Sequence, residues 1–323
     1  MLSNQIFNLI KSNNLLKRLV RKLVLVNINI YPSILFINKL YNKLDFENKA
    51  EFHSIFAKHF REKNKKLALK KWKIIFNKKS LLMPLNKDRL WLDWDSALSI
   101  LGHDVDVKKT YEYLLNNNKI NCFFDVGANY CTHSLLFLKN NVNTYSFEPN
   151  INCYDYFSDC LKANNLKGNF INIAIGNENG EAELTFPEND TWLGTISAKD
   201  DDFVNKFGGL KKIKVEIDSL DNYCNAKNIL PDLIKIDTEG FEIDVLIGAK
   251  EILEKKEPIV IFEANEKEKR EALYVFLQKT NYNIYQLINN VNEFLLLNSN
   301  SFINNKENNF IAIPSNHIIL GKK

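Results

Sequence analysis

Apolar and polar positions follow two different patterns along this chain, and the change falls near residue 100. Before it, in ENKAEFHSIFAKHFREKNKK, apolar side chains recur three and four positions apart, with lysines between them. This spacing predicts an amphipathic helix. From residue 120 onwards, short apolar runs rich in β-branched and aromatic residues alternate with longer mixed stretches. The two patterns predict a basic helical N-terminal extension over residues 1–100 and a second domain over residues 101–323.

The second domain has the order of elements that is typical of an α/β fold. Helices are predicted over residues 150–164, 242–255 and 266–280, and strands that alternate with helices indicate a mostly parallel sheet with right-handed crossovers. The last third of the chain has strands with little helix, which predicts an antiparallel edge. An extended insertion, GEAELTF and KIKVEID, precedes the fourth predicted strand. The five strand-like runs are NCFFDV, NTYSFE, NFINIAI, DLIKID and PIVIFE.

Charge is distributed unevenly between the two parts. Residues 1–89 hold 20 Lys and Arg against 5 Asp and Glu, a net +15, which leaves −11 for residues 90–323 of a total of +4. We favour a solvated outer face for the basic helices; the alternative is a peripheral contact with an anionic lipid, at the inner face of the membrane, or with an anionic carrier. The early apolar stretch is broken by Asn27, Asn29 and Pro32, so neither a signal peptide nor a transmembrane span is predicted.

The cysteines indicate a reducing compartment. There are five, an odd number, and they form neither a CxxC motif nor a His/Cys cluster with zinc-ligand spacing. We therefore expect a cytoplasmic protein without disulfides.

The first predicted strand ends in a turn that could bind a ligand. In open parallel sheets, ligands bind at the carboxyl ends of the strands. Asp125 ends this strand, and Gly127, Ala128 and Asn129 lead into a helix. Glycine lets a ligand approach the backbone closely, but the second and third glycines of the dinucleotide fingerprint are missing. A pyrophosphate is therefore not expected here.

The next two strand ends add polar groups to the same predicted edge. Glu148, followed by Pro149, lies 23 positions beyond Asp125, where an acid can accept hydrogen bonds from ribose hydroxyls. The third strand carries Asn172 and Ala174, whose polar edge could contact a purine. Any one of these residues could serve as a turn or a cap. Together they predict a nucleoside cofactor across three strand ends.

These motifs occur in an order that resembles a known enzyme family. The series DVGANYCTHSLLF, SFEPN, NIAIGN, EIDSLDNY, LIKIDTEGFEIDVLIGA and IVIFE resembles the FkbM family of S-adenosylmethionine-dependent methyltransferases over roughly residues 100–287. The resemblance implies a class I methyltransferase (Rossmann-like) fold with a seven-stranded sheet that has one antiparallel strand. It also implies S-adenosyl-L-methionine as cofactor and methyl transfer to oxygen, often of a sugar or polyketide hydroxyl. Cys131 stands where the family usually has glycine, so we expect weaker cofactor binding.

Acidic residues after the fourth and fifth strands are the catalytic candidates. A hydroxyl acceptor must be aligned and must lose a proton, to a base or with help from a metal. Asp237 and Glu239 could do this, or could cap the next helix and fix the loop; Glu242 fits a structural role in the first turn of that helix. Glu263 is a third acid on the rim and a substrate-side candidate. The three acids could hold a divalent cation, which we do not favour. His133 is a secondary base candidate.

The sequence supports one main functional hypothesis and one alternative. The first is an O-methyltransferase acting on a carbohydrate or glycan precursor, with Trp192 on a loop against the substrate. The alternative is an inactive methyltransferase-like module that binds a partner or an anionic surface through its basic helices; Cys131 and the uneven charge favour it. Nucleic acid is not expected as a partner, because the main domain is acidic.

Overall fold

The computed structural model describes residues 2–27, 30–63, 70–85, 94–187, 210–288 and 293–317. The chain forms two compact units, one of residues 1–112 with 158–166 and the other of residues 113–157 with 167–323. The domain boundary predicted at residue 100 stays a prediction, because compactness alone does not define where a domain begins.

The first unit contains the predicted N-terminal helices and a hairpin that the helical prediction for residues 1–100 did not include. The hairpin residues Trp72, Ile74 and Phe76 point inwards and alternate with outward-facing residues, as the two-residue period of a strand requires. Asn77 and Lys78 both have positive φ, the conformation of a two-residue hairpin turn. The elements are α1 (Leu2–Ser12), α2 (Asn14–Asn27), α3 (Tyr31–Tyr41), α4 (Phe46–Lys63), β1 (Lys71–Phe76), β2 (Lys79–Pro84), α5 (Trp94–Gly102) and α6 (Val105–Asn117, which has residues in both units).

The second unit is built on one large sheet with the order β12-β11-β13-β10-β9-β3-β4-β5. The strands from β10 to β5 are parallel, β13 runs antiparallel between β10 and β11, and β12 pairs antiparallel with β11. The mostly parallel fold is confirmed, but the sheet has eight strands with two antiparallel ones instead of seven with one. The strands are β3 (Cys122–Val126), β4 (Asn143–Phe147), β5 (Asn169–Ile171), β9 (Leu233–Ile236), β10 (Ile259–Glu263), β11 (Tyr282–Gln286), β12 (Leu295–Leu296) and β13 (Asn309–Pro314).

A small second sheet follows the parallel edge, with the order β6-β8-β7. The run NFINIAI, predicted as one strand, is divided between the two sheets, because β5 ends at Ile171 and Ala174 pairs with Ile217 of β8. Asn172 lies between them, and its side-chain amide donates to the carbonyls of Glu148 and Pro149, 2.9 and 2.8 Å away. The strands are β6 (Ala174–Ile175), β7 (Gly180–Pro187) and β8 (Leu210–Asp218).

The helices of the second unit agree with the predicted ones except at one point. The helix predicted over residues 242–255 is two short helices separated at Gly248, where a Cβ would lie 2.0 Å from the carbonyl oxygen of Gly176. Within the described residues, no helix is long and apolar enough to cross a membrane. The helices are α7 (Thr132–Lys139), α8 (Asn152–Asn164, which has residues in both units), α9 (Leu220–Lys227), α10 (Glu242–Ile247), α11 (Lys250–Lys255), α12 (Lys267–Lys279) and α13 (Ser299–Ile303).

The register of the central strands sets the position of the site. Asp125 of β3 lies opposite Lys235 of β9, which in turn lies opposite Ile261 of β10. Every residue of β3 and β9 is buried, as expected for strands covered on both faces. The residues that follow β9, which include Asp237 and Glu239, are only half-buried.

Candidate active site

The turn after β3 is tied to both neighbouring strands. Gly127 has φ +75°, and a Cβ on it would lie 1.8 Å from the carbonyl oxygen of Asp237. The backbone N–H groups of Gly127 and Ala128 both donate to the carbonyl of Phe147 at 3.0 Å, and that of Asp237 donates to Val126 at 3.0 Å. Glycine is required here by the approach of the β9 end, because any side chain would push the two strand ends apart.

Asp125 presents one satisfied and one unsatisfied carboxylate oxygen. Its Oδ2 accepts from the backbone N–H of Ser134 at 3.0 Å and from the hydroxyl of Ser134 at 2.6 Å. Its Oδ1 is buried and has no hydrogen-bond partner. Burial raises the pKa of Asp125, and the charge of Lys235 opposes that shift. A buried oxygen without a donor costs about 1–3 kcal/mol, so this atom fits a ligand that carries an N–H group.

Glu148 is buried and already accepts two backbone hydrogen bonds. Its Oε2 accepts from the N–H of Asn129 and its Oε1 from the N–H of Asn150, both at 2.8 Å. Burial raises the pKa of Glu148 to about 7, against the lowering effect of these two bonds. A carboxylate oxygen has two lone pairs, so each oxygen can accept one more hydrogen bond, such as one from a ribose hydroxyl.

The other cofactor candidates are placed less directly. Pro149 is half-buried beside Glu148, and Asn172 is exposed with its amide bonded to the backbone as described above. Ala174 is buried in the apolar cluster of the small sheet. The contact of Asn172 and Ala174 with a purine and the place of Pro149 in the cofactor site stay predictions.

Three of the predicted acids form a cluster at the ends of β9 and β10. Carboxylate oxygens of Asp237, Glu239 and Glu263 all lie within 4.8 Å of one another. Burial, the neighbouring Asp237 carboxylate and a hydrogen bond to it raise the pKa of Glu263 to about 9. The raised pKa favours a protonated Glu263, whose carboxyl then donates a hydrogen bond to the Asp237 carboxylate. A cavity of about 70 Å³ lies beside the cluster, with Glu239 and Glu263 in its lining.

Lys235 is part of this cluster, and it is not among the residues that the sequence motifs predict for the site. Its Nζ lies 2.6 Å from Oδ2 of Asp237, and the side chains of Lys235 and Asp237 are 4% and 31% exposed. A lysine inside the apolar run DLIKID was the available signal, because a buried strand position rarely carries a charge that has no partner.

Glu242 shapes the loop that carries Glu239. Its Oε1 accepts from the N–H of Thr238 at 3.0 Å, from the hydroxyl of Thr238 at 3.0 Å and from the N–H of Gly240 at 3.1 Å. Glu239 has φ +53°, a conformation that these bonds around it help to maintain. These contacts agree with the structural role predicted for Glu242.

Of three further candidates, the structure describes Cys131 and His133 but not Trp192. Cys131 is buried with φ +57°, and burial raises its thiol pKa well above the ordinary value. Burial therefore disfavours a thiolate at Cys131, although the residue lies at the start of a helix. His133 is half-buried in the first turn of α7, and its role as a base stays a prediction. Trp192 lies outside the described residues.

The carboxyl groups at the ends of β3, β4, β9 and β10 lie close enough to raise one another's pKa. The pKa of Glu148 is raised by Asp125 and Asp237 as well as by burial, and that of Glu263 by Glu239. Five carboxyl groups thus lie at these strand ends, against the ammonium of Lys235 and that of Lys269, which lines the cavity beside Glu239 and Glu263. An excess of carboxylates favours a cationic ligand, such as one that carries an ammonium and a sulfonium group.

The sequence also matches a known domain across this site. A family model described as the methyltransferase FkbM domain matches residues 125–301, a little over half of the 323 residues. The chain belongs to the FkbM methyltransferase family. The match confirms the family resemblance predicted from the sequence. It includes the ends of all four strands that carry the candidate residues.

The solved structures that this FkbM-family chain matches share little sequence with it. The methyltransferase FkbM from Methylobacillus flagellatus KT is 12% identical over 68% of this chain and 54% of its own, with a TM-score of 0.38. A SAM-dependent methyltransferase from Agrobacterium tumefaciens is 8% identical over 78% and 72%, with a TM-score of 0.39. M. jannaschii TYW2 in complex with AdoMet is 11% identical over 77% and 88%, with a TM-score of 0.36.

The chain spans about half the length of the M. flagellatus protein. No curated protein matches it. The family assignment therefore depends on the domain match.

Proposed function

We propose that this FkbM-family methyltransferase transfers a methyl group from S-adenosylmethionine to a hydroxyl oxygen of a carbohydrate or glycan precursor. The observation that carries the proposal is the cluster of Asp237, Glu239 and Glu263 beside Lys235, because a hydroxyl acceptor needs a group that takes its proton. The carbohydrate class comes from the family resemblance of the sequence.

The residues at the ends of β3 and β4 fit the methyl donor. The partnerless Oδ1 of Asp125 can accept a hydrogen bond from an ammonium group, and the remaining lone pairs of Glu148 can accept from ribose hydroxyls. When bound, S-adenosylmethionine supplies an electrophilic methyl group on a positively charged sulfur. The surplus of carboxylates around Lys235 suits that charge.

Asp237 is the group that we assign as proton acceptor. Its side chain is 31% exposed and can be reached by an acceptor hydroxyl, whereas Lys235 behind it is 4% exposed. Asp237 would take the hydroxyl proton of the acceptor, and S-adenosylmethionine would supply the methyl group and leave as S-adenosylhomocysteine. Lys235 and the proton on Glu263 hold the Asp237 carboxylate in place, and Glu239 orients the acceptor from its loop.

A transfer assay with labelled S-adenosylmethionine and a panel of sugars tests this assignment. Asp237→Asn should lower turnover by about 100-fold or more, the usual effect of losing a general base, and leave cofactor binding within about twofold. Glu268→Gln, a change at an exposed acid on α12, is the matched control and should behave as the parent. Thermal melting of each variant reports whether the fold is intact. Unchanged turnover in Asp237→Asn would exclude this residue as the base.

Calorimetry separates this function from the inactive alternative. The alternative is favoured by Cys131, whose positive φ is costly for a residue other than glycine. We expect the parent protein to bind S-adenosylmethionine with an enthalpy signal that Asp125→Asn weakens. A parent protein that does not bind the cofactor at sub-millimolar concentration would establish the non-catalytic module instead.

A further inference from the structure

Exposed apolar side chains are concentrated on the N-terminal helices. Of the 17 exposed large hydrophobic residues among the described residues, nine lie between Leu9 and Leu40. Scattered exposed apolar residues are normal on a protein surface, but a concentration of this kind marks a contact with another molecule or with a membrane.

Helix α2 arranges its exposed leucines in a line with basic residues beside them. Leu15 and Leu19 are 69% and 51% exposed, and Leu23 continues their line, because positions four apart share a helix face. At about 100° per residue, Arg18 and Lys22 fall on the flank of this line, and both are exposed.

The other side of α2 packs within the first unit. Lys17 lies on the face roughly opposite the leucine line, and its Nζ is 2.6 Å from Oε1 of Glu51 on α4. The exposed line is therefore not the face with which α2 contacts α4.

Helix α3 has the same division into a packed and an exposed face. Its residues Ile34 and Tyr41 are fully buried, whereas Leu35 and Phe36 are 42% and 61% exposed. Lys39, also exposed, falls between these two apolar residues around the helix axis. Apolar and basic residues thus share the outer face of α3, as they share the outer face of α2.

The charge of residues 1–44 indicates which kind of partner binds the exposed face of the N-terminal helices. Residues 1–44 contain seven Lys and Arg and no Asp or Glu. A nucleic acid would use the basic residues but would leave the leucines exposed to water. A bilayer with anionic headgroups uses both, because apolar side chains enter the boundary between headgroups and acyl chains while Lys and Arg bind the phosphates.

We propose that helices α1 to α3 bind the surface of an anionic phospholipid bilayer, with Leu15, Leu19 and Phe36 inserted and Arg18, Lys22 and Lys39 on the headgroups. The helices lie on the bilayer and do not cross it. The proposal does not depend on the methyl transfer proposed above, because it concerns the first compact unit alone.

Co-sedimentation of the full-length protein with vesicles tests the proposal. We expect binding to vesicles of phosphatidylglycerol and phosphatidylcholine, weaker binding as salt is added, and little binding to phosphatidylcholine alone. Arg18→Gln with Lys22→Gln should weaken binding about 25-fold, since each basic residue near an anionic surface contributes roughly fivefold. Leu15→Ser with Leu19→Ser should weaken it by at least about tenfold.

The matched control removes the same charge elsewhere. Lys227→Gln with Lys279→Gln changes two exposed lysines of the second unit and should bind as the parent does. All replaced side chains are at the surface, so far-ultraviolet circular dichroism should be unchanged. Should the leucine variant unfold, the Arg18 and Lys22 variant still decides the question.

Three results would overturn the proposal. The first is no binding of the parent to anionic vesicles. The second is an equal loss of binding in the Lys227 and Lys279 control, which would mean that only net charge matters. The third is a dimer in sedimentation velocity that the Leu15 and Leu19 variant dissociates, without vesicle binding by the parent; a second copy of the chain would then cover the leucines.

Discussion

The raised pKa of Glu263 predicts how the stability of the protein depends on pH, and this prediction can be tested without a substrate. Burial and the Asp237 carboxylate raise its pKa from the ordinary value of 4.5 to about 9. Replacing it with glutamine keeps the size of the side chain and a hydrogen-bond donor towards Asp237, but removes the titration. Glu263→Gln should therefore change how stability depends on pH more than it changes stability at low pH.

The direction and the slope follow from proton linkage. Below the ordinary pKa of 4.5, Glu263 is protonated in both the folded and the unfolded chain, and its stabilising contribution is complete. As the pH rises, the unfolded chain releases this proton and the folded chain keeps it, so folding becomes less favourable until the folded pKa near 9 is passed. Within this window the loss approaches about 1.4 kcal/mol per pH unit.

Urea unfolding followed by circular dichroism measures this difference. Between about pH 6 and about pH 8, the unfolding free energy of Glu263→Gln should rise relative to the parent by up to about 2.7 kcal/mol. Glu268→Gln, on the exposed side of α12, should follow the parent at every pH. If the difference between Glu263→Gln and the parent is the same across this range, Glu263 ionises normally and the proton placed between it and Asp237 is wrong.

Three further changes test the turn and the cofactor site. Glu148→Gln should flatten the pH dependence of S-adenosylmethionine affinity below about pH 7, where the parent gains affinity as Glu148 ionises; calorimetry at several pH values measures this, and an unchanged profile would separate Glu148 from the cofactor. Gly127→Ala should cost about 2–5 kcal/mol of unfolding free energy through its positive φ and the collision with Asp237, whereas Gly180→Ala, which has open space around it, should stay within about 0.5 kcal/mol of the parent. Cys131→Gly should tighten cofactor binding, because it removes a side chain from the turn; a weaker calorimetric affinity would contradict the crowding argument.

The sequence was sufficient to predict which acids lie near one another. Parallel strands place their carboxyl ends at one edge, so Asp125, Glu148 and Asp237 could be expected together once the strands were identified. Their mutual effects on pKa agree with this expectation. The structural role of Glu242 could also be predicted, because an acid in the first turn of a helix has backbone N–H groups close to it.

Other features depend on contacts that one sequence does not display. The β1–β2 hairpin was missed because its two-residue period is short and lies among helical patterns, although Trp72, Ile74 and Phe76 carry it. The division of NFINIAI depends on the amide of Asn172, whose bonds to the backbone beyond β4 appear only in the folded chain. Neither feature has a distinct composition, and tertiary contacts decide both.

Lys235 shows how one buried residue links the two halves of the candidate site. In the sheet register it lies beside Asp125, and its Nζ is bonded to Asp237. Its charge lowers the pKa of both Asp125 and Glu263, against the effect of burial on each. The same ammonium therefore favours an ionised Asp125 on the cofactor side and holds the carboxylate of Asp237 on the acceptor side. Because an ammonium at this depth needs nearby carboxylates, Lys235 and the acids around it stabilise one another, and the acidity of the strand ends is part of the fold as well as of the proposed chemistry.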